Sequence, residues 1–183
     1  MRPHFRHSAA EKARRLWSEK PVFLDTETTG LSDSAEIVEI SIIDTDGSLL
    51  LDTLVRPVRP IPPDAMRVHN ISNDMVSTAP TWMRVWPQVE DILNERTVGI
   101  YNADFDLRMF KQSHQQIGMP WRTPGSHFFC IMKLYADFIG SRRWQRLEEA
   151  GRQCRLELPN SHRAKDDTLL ARAVFQYMVA AGR

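Results

Sequence analysis

The order in which strand-type and helix-type runs follow one another leaves few folds open to this chain. Pro21 leads into a buried strand from Val22 to Glu27, Glu36 to Asp44 reads as a second strand, and Ser48 to Val55 as a third. Asp46-Gly47 between the last two is a hairpin turn signal. Three strands joined by short turns make an antiparallel meander, not successive βαβ units. From residue 81 the pattern changes: apolar positions at helical spacing alternate with short strand-type runs. Strands first, then alternating helices and strands, predict an α/β fold with a mixed central sheet.

The later elements follow from spacing and punctuation. Arg56 to Pro63 holds four of the eleven prolines and reads as an extended loop. Short helical turns are expected around Asp64–Val68 and Ser72–Met75. Thr81 to Asn94 reads as a helix with Trp82, Val85, Trp86, Val89 and Leu93 inward, which makes both tryptophans core residues. Thr97–Tyr101 is the fourth strand, Phe105–Ile117 the helix after it, and Phe128–Ile131 a fifth strand. Helices are expected at Arg146–Cys154 and Arg163–Ala181. Ser8–Glu19 reads as an amphipathic helix with Ser8 as its N-cap. Residues 1–20 are thus an N-terminal helical extension packed on a single domain, 21–183.

No apolar run approaches the ~18–20 residues of a membrane span, and residues 1–7 lack the apolar core of a signal peptide. A cytoplasmic protein that avoids membranes is expected. Cys130 and Cys154 are far apart and read as reduced thiols. Net charge is +1, which does not by itself point to nucleic acid. Its distribution does more. Residues 1–20 carry six Lys/Arg against two Glu, and residues 141–165 carry seven against three. Such basic rims suit phosphates, or are simply solvated surface.

Three constellations carry the chemistry. Asp25 and Glu27 stand two apart at the end of the first strand, so both carboxylates point to one face. Repulsion disfavours that pairing unless a proton or cation intervenes, and a hard divalent ion suits oxygen ligands. The alternative is two ordinary acids at a strand end. Thr28-Thr29-Gly30-Leu31 follows as a tight turn ending in an apolar residue. Asn102-Ala103-Asp104-Phe105-Asp106 forms the second constellation: Asn102 could cap the next helix, Phe105 anchor its first turn, and Asp106 either serve the site or favour the helix N-terminus. The third is His162 to Asp167. On one helix, residues five apart lie ~140° around the axis. His162 and Asp167 converge only if His162 sits in a loop before the helix, which Pro159-Asn160-Ser161 favours. Asp167 borders the buried face marked by Leu170 and Ala171.

DTETTGL at 25–31, NADFD at 102–106 and HRAKDD at 162–167 resemble, in order and spacing, the three motifs of the DEDDh (DnaQ-like) 3′→5′ exonuclease family, which includes exonuclease X and the DNA polymerase III epsilon proofreading subunit. Leu54 to Pro57, Ile61 and Ala65 to Ser72 resemble the segment between its first two motifs. Tyr101 stands where the family often has His, and Asn70 where it often has Gly. The resemblance implies a ribonuclease H-like mixed five-stranded sheet flanked by helices. It implies a hydrolase with two divalent cations, Mg²⁺ or Mn²⁺, ~3.5–4 Å apart, held by Asp25, Glu27, Asp106 and Asp167. His162 would be the general base, since imidazole's ordinary pKa of ~6.5 lies near working pH. Thr26, Thr28, Gly30, Leu31, His69, Asn102 and Phe105 would meet substrate, with Leu31 wedged against the terminal base.

The implied partner is nucleic acid with a free 3′ end. DNA is favoured, an exoribonuclease of the RNase T or oligoribonuclease type is the alternative, and a non-catalytic nucleic-acid-binding subunit is a third reading. A homodimer or a replication or repair complex is compatible with all three.

Overall fold

The computed structural model describes residues 3–157 and 162–181. In chain order the elements are α1 (Pro3–Ser18), β1 (Val22–Thr28), β2 (Ile37–Ile43), β3 (Leu49–Leu54), α2 (Pro63–His69), α3 (Asn73–Val76), α4 (Trp82–Leu93), β4 (Thr97–Ile100), α5 (Ala103–Gln116), β5 (His127–Cys130), α6 (Ile131–Ile139), α7 (Leu147–Gln153) and α8 (Ala164–Ala180). The strands form one five-stranded sheet in the order β3-β2-β1-β4-β5. β1 to β3 run antiparallel, as the short turns require. β4 and β5 join parallel to β1 after helical crossovers.

Period-two alternation gives each face of β1 its own core. Phe23 faces a cluster built from Val174, Phe175 and Met178 of α8, Ala9, Ala13 and Leu16 of α1, and Leu134, Tyr135 and Phe138 of α6. Val22 and Leu24 face the other cluster, with Trp82, Val85 and Trp86 of α4 and Met109 and Phe110 of α5. Each fully buried large side chain contributes roughly 1.5–3 kcal/mol by leaving water. Because both faces are covered, all seven residues of β2 are buried. Gly99 in β4 lets the first face close: a Cβ there would stand 2.6 Å from the Phe129 ring and 3.1 Å from Phe23.

Two expectations need correction. α1 begins at Pro3, so Ser8 lies inside the helix and caps nothing. The helix also shares its core with Phe23 and Phe175, and so forms part of the packed layer on that face. Asn102 does occupy the N-cap position of α5, yet its side chain makes no capping hydrogen bond. The loop expected at Pro159-Asn160-Ser161 lies outside the described residues. Among the described residues, no helix is long and apolar enough to cross a membrane.

Candidate active site

The register of the sheet creates an opening at one end of β1. Pairing with β4 stops at Leu24↔Ile100, where the chain leaves the sheet to start α5. Asp25 and Glu27 lie beyond that point, with β2 as their one strand neighbour among the described residues, opposite Ser41 and Glu39. Both share the face of Phe23, the face that α8 covers. α8 brings Asp167 to them. Oxygens of Asp25, Glu27 and Asp167 all lie within 4.8 Å of one another, a group able to hold a metal ion.

Asp106 reaches the same strand from the opposite face. It sits in the first turn of α5, is 3% exposed, and accepts a 2.7 Å hydrogen bond from the Thr26 hydroxyl. Thr26 points to the α5 side while Asp25 and Glu27 point to the α8 side. The fourth acid is therefore tied to the trio through the strand between them. Phe105 is half-buried against the core of that face, with the Arg108 guanidinium 5.5 Å from its ring.

These carboxyls are poorly compensated. Burial first, then the charges of Asp106, Glu27, Asp167 and Glu39, push the Asp25 carboxyl well above the usual carboxylate range. Glu27 is raised by burial and then by Asp167, Glu39 and Asp106, with Arg163 opposing. Asp106 is raised by burial, against the hydrogen bond from Thr26. Asp167 is pushed up to about 6 by burial, with His162 pulling the other way. Such a cluster calls for protons or for cations with hard oxygen preference.

Sequence reasoning missed the group that fixes α8 against the sheet. Glu39 is 2% exposed. It takes the Arg163 guanidinium on both oxygens, with Nε at 3.0 and 3.1 Å, the fork geometry that makes such pairs strong. It also accepts the Ala164 amide at 2.9 Å, the first free N–H of α8. This clamp sits four residues before Asp167. It also sits directly after His162, whose backbone is left-handed at φ 61°. The His162 Nε2 lies 3.7 Å from Glu148 at the start of α7. A signal for the clamp existed: Glu39 is the one acid in the run Ile37–Ile43.

The turn after β1 is built from its own threonines. Thr28 donates its hydroxyl to the Gly30 carbonyl at 2.8 Å, and Thr29 Oγ1 accepts the Glu36 amide at 2.9 Å. Gly30 adopts φ 142°, a conformation open to glycine and strained for other residues. Leu31 follows, 77% exposed. His69 is buried beneath. Its Nδ1 accepts the Ile71 amide at 3.0 Å. Its Nε2 therefore carries the proton. That nitrogen faces the Thr28 carbonyl at 3.2 Å. Nε2 thus braces the turn from below, while Nδ1 fixes the ring to its own segment after α2. A cavity of about 970 Å³ lies elsewhere, lined by Trp17, Lys20, Asp44, Arg96 and Arg172 at the other end of the sheet.

Residues 22–175 match the RNase T exonuclease family. The chain is 34% identical over 186 residues to the uncharacterized exonuclease CP81 of Escherichia phage 186, covering 94% of this chain and 95% of that protein. Exonuclease X, solved in complex with 5′ overhanging duplex DNA, is similar with a TM-score of 0.68 and 28% identity over 88% of this chain and 93% of that one. The nuclease domain of 3′hExo, a DEDDh family member bound to rAMP, has a TM-score of 0.77 at 17% identity over 90% of this chain and 93% of that one. The last likeness shows the ribonuclease H-like fold expected from the sequence.

Proposed function

Because the chain belongs to the RNase T, or DEDDh (DnaQ-like), family of 3′→5′ exonucleases, we propose that it removes nucleoside 5′-monophosphates one at a time from the 3′ end of DNA, favouring single-stranded or frayed ends. The observation that carries this reading is the convergence of Asp25, Glu27 and Asp167 without matching positive charge.

The donor set fits Mg²⁺ or Mn²⁺, with Asp25, Glu27 and Asp167 holding one ion and Asp106 supporting a second. Two such ions would lower the pKa of the attacking water and stabilise charge on the departing 3′ oxygen. The remaining work belongs to the chain. His162 takes the proton of the water that attacks phosphorus. Glu148 gives the imidazolium so formed an anionic neighbour, and the Glu39–Arg163 clamp fixes the segment that carries it. The backbone near Thr26 and the Glu27 side chain meet the terminal 3′-OH. Thr28 and Gly30 shape the turn that presents Leu31 to the terminal base, and His69 holds that turn. Asn102 and Phe105 border the same opening from the start of α5.

DNA is preferred because exonuclease X, at 28% identity, was solved with a DNA duplex. An RNA 3′ end is the second reading, supported by the rAMP complex of 3′hExo. The test uses 5′-labelled single-stranded DNA, duplex DNA and RNA with Mg²⁺, Mn²⁺ or chelator. Metal-dependent shortening from the 3′ end, giving a ladder of products, is expected. Activity untouched by chelator would sink the proposal, and faster cutting of RNA would replace the substrate.

A further inference from the structure

The loop between α6 and α7 carries an aromatic ring that the reaction described above does not use. Residues 141–146 read Ser-Arg-Arg-Trp-Gln-Arg, with three arginines and no acid. Trp144 is 63% exposed, an unusual state for the largest apolar side chain. Among the described residues, Arg142, Arg143 and Arg146 form no ion pair.

The loop is held in a particular place. The Tyr101 hydroxyl donates to the Gln145 carbonyl at 3.0 Å, and burial raises the Tyr101 pKa, so the phenol stays a donor. Tyr101 directly precedes Asn102. Lys133 pairs with Asp104 at 2.6 Å, and its ammonium lies 5.9 Å from the Trp144 ring centroid. On the far side the loop runs straight into α7, whose Glu148 touches His162. Trp144 is thus linked to the start of α5 through Lys133 and Asp104, and along the chain to α7, whose Glu148 neighbours His162.

We infer that Trp144 is a stacking platform for an unpaired base of the DNA strand leading to the 3′ end, with Arg142, Arg143 and Arg146 meeting its phosphates. Base–aromatic stacking tolerates any sequence because every base has a π-face. Arginines beside the ring supply the charge that single strands require. A duplex keeps its bases stacked internally and cannot use the ring, so the platform would select unpaired strands. It deepens the exonuclease reading and rests on it for the direction of the strand.

Binding of a fluorescein-labelled 12-nucleotide DNA strand, measured by anisotropy in chelator, tests the platform without any need for hydrolysis. Trp144→Ala should weaken binding about tenfold, as loss of one base–aromatic stack does, and leave its salt dependence unchanged. Trp144→Phe should keep most of the affinity. Arg142→Ala and Arg143→Ala should each reduce the slope of log K against log salt by about 0.7. Blunt duplex binding should not respond to Trp144→Ala. Equal binding of the strand by wild type and Trp144→Ala, or equal losses on strand and duplex, overturns the inference. So does absence of strand binding by the wild type. Strand binding that depends on Trp144 in a protein inactive with Mg²⁺ and Mn²⁺ supports the platform and refutes the exonuclease reading alone.

Discussion

Glu27 and Glu39 face each other across β1 and β2 in the same register, yet their surroundings are opposite. Glu39 has a guanidinium on both oxygens and a helix amide besides. Glu27 has the acids Asp25 and Asp167 within reach and is raised by burial and by those charges. A buried acid with a structural task is matched within the protein. Glu27, half-buried, is left unmatched, as the proposed metal site requires of it. Under the proposed function, two glutamates in one register divide stability from chemistry.

The largest effect should come from the unmatched side. Asp25→Asn and His162→Ala should each lower hydrolysis of a labelled strand about 10³-fold or more, with far-UV circular dichroism unchanged. Retention of more than a tenth of the activity in both would break the comparison. On the matched side, Glu39→Ala strands the Arg163 guanidinium and the first amide of α8. The expected loss is about 2–3 kcal/mol in urea unfolding, below the full value for a buried pair because Arg163 is partly in water. A loss no greater than that of an exposed Glu→Ala would remove the clamp from the account.

A third prediction sharpens the contrast through pH. Asp25 in the folded protein holds its proton to higher pH than in the unfolded chain, so folding takes up protons there. Its contribution to metal-free stability is therefore lost as pH rises above the unfolded value near 4. Asp25→Asn should raise the metal-free melting temperature at pH 8, by about 2–4 °C, and the gain should fade as pH falls toward 4. Mn²⁺ should stabilise the wild type increasingly as pH rises, because it competes with those protons. Constancy of the mutant's gain from pH 4 to 8 would refute the raised carboxyl. The smallest effect belongs to an acid that is matched but exposed. Glu149 on α7 meets Arg152 at 3.2 Å. Glu149→Gln loses that ion pair and should leave the melting temperature where it was, since exposed pairs contribute little.

Much of this arrangement was legible in the chain. The meander followed from short turns, and the shared face of Asp25 and Glu27 from a two-residue period that needs no tertiary information. The spacing of Trp82, Val85, Trp86, Val89 and Leu93 marked α4 correctly for the same reason. The helix α6 was missed although its apolar spacing is local, and the rest of what escaped was largely non-local. The Glu39–Arg163 clamp joins residues 124 apart, and the Thr26–Asp106 bond spans 80. No local pattern encodes either pairing. The start of α1 escaped for a different cause. Ser8 has an N-cap residue's chemistry, but the helix continues through it to Pro3. Asn102 stood at its expected cap position without its expected bond, because position is set by the backbone and the bond by a rotamer.

β1 is the central strand of the sheet, hydrogen-bonded to β2 on one side and to β4 on the other as far as Leu24. Central strands exchange their amide protons only when the whole domain opens, whereas edge strands and helix ends open by themselves. The segment leading to Asp25 should therefore be among the slowest to exchange in deuterated water, with β3 and β5 well ahead of it. On heating, the two carboxylates of β1 would then keep their spacing until the sheet itself comes apart. Any gradual fading of activity below the melting point would have to begin elsewhere, at the start of α8 or in the turn after β1.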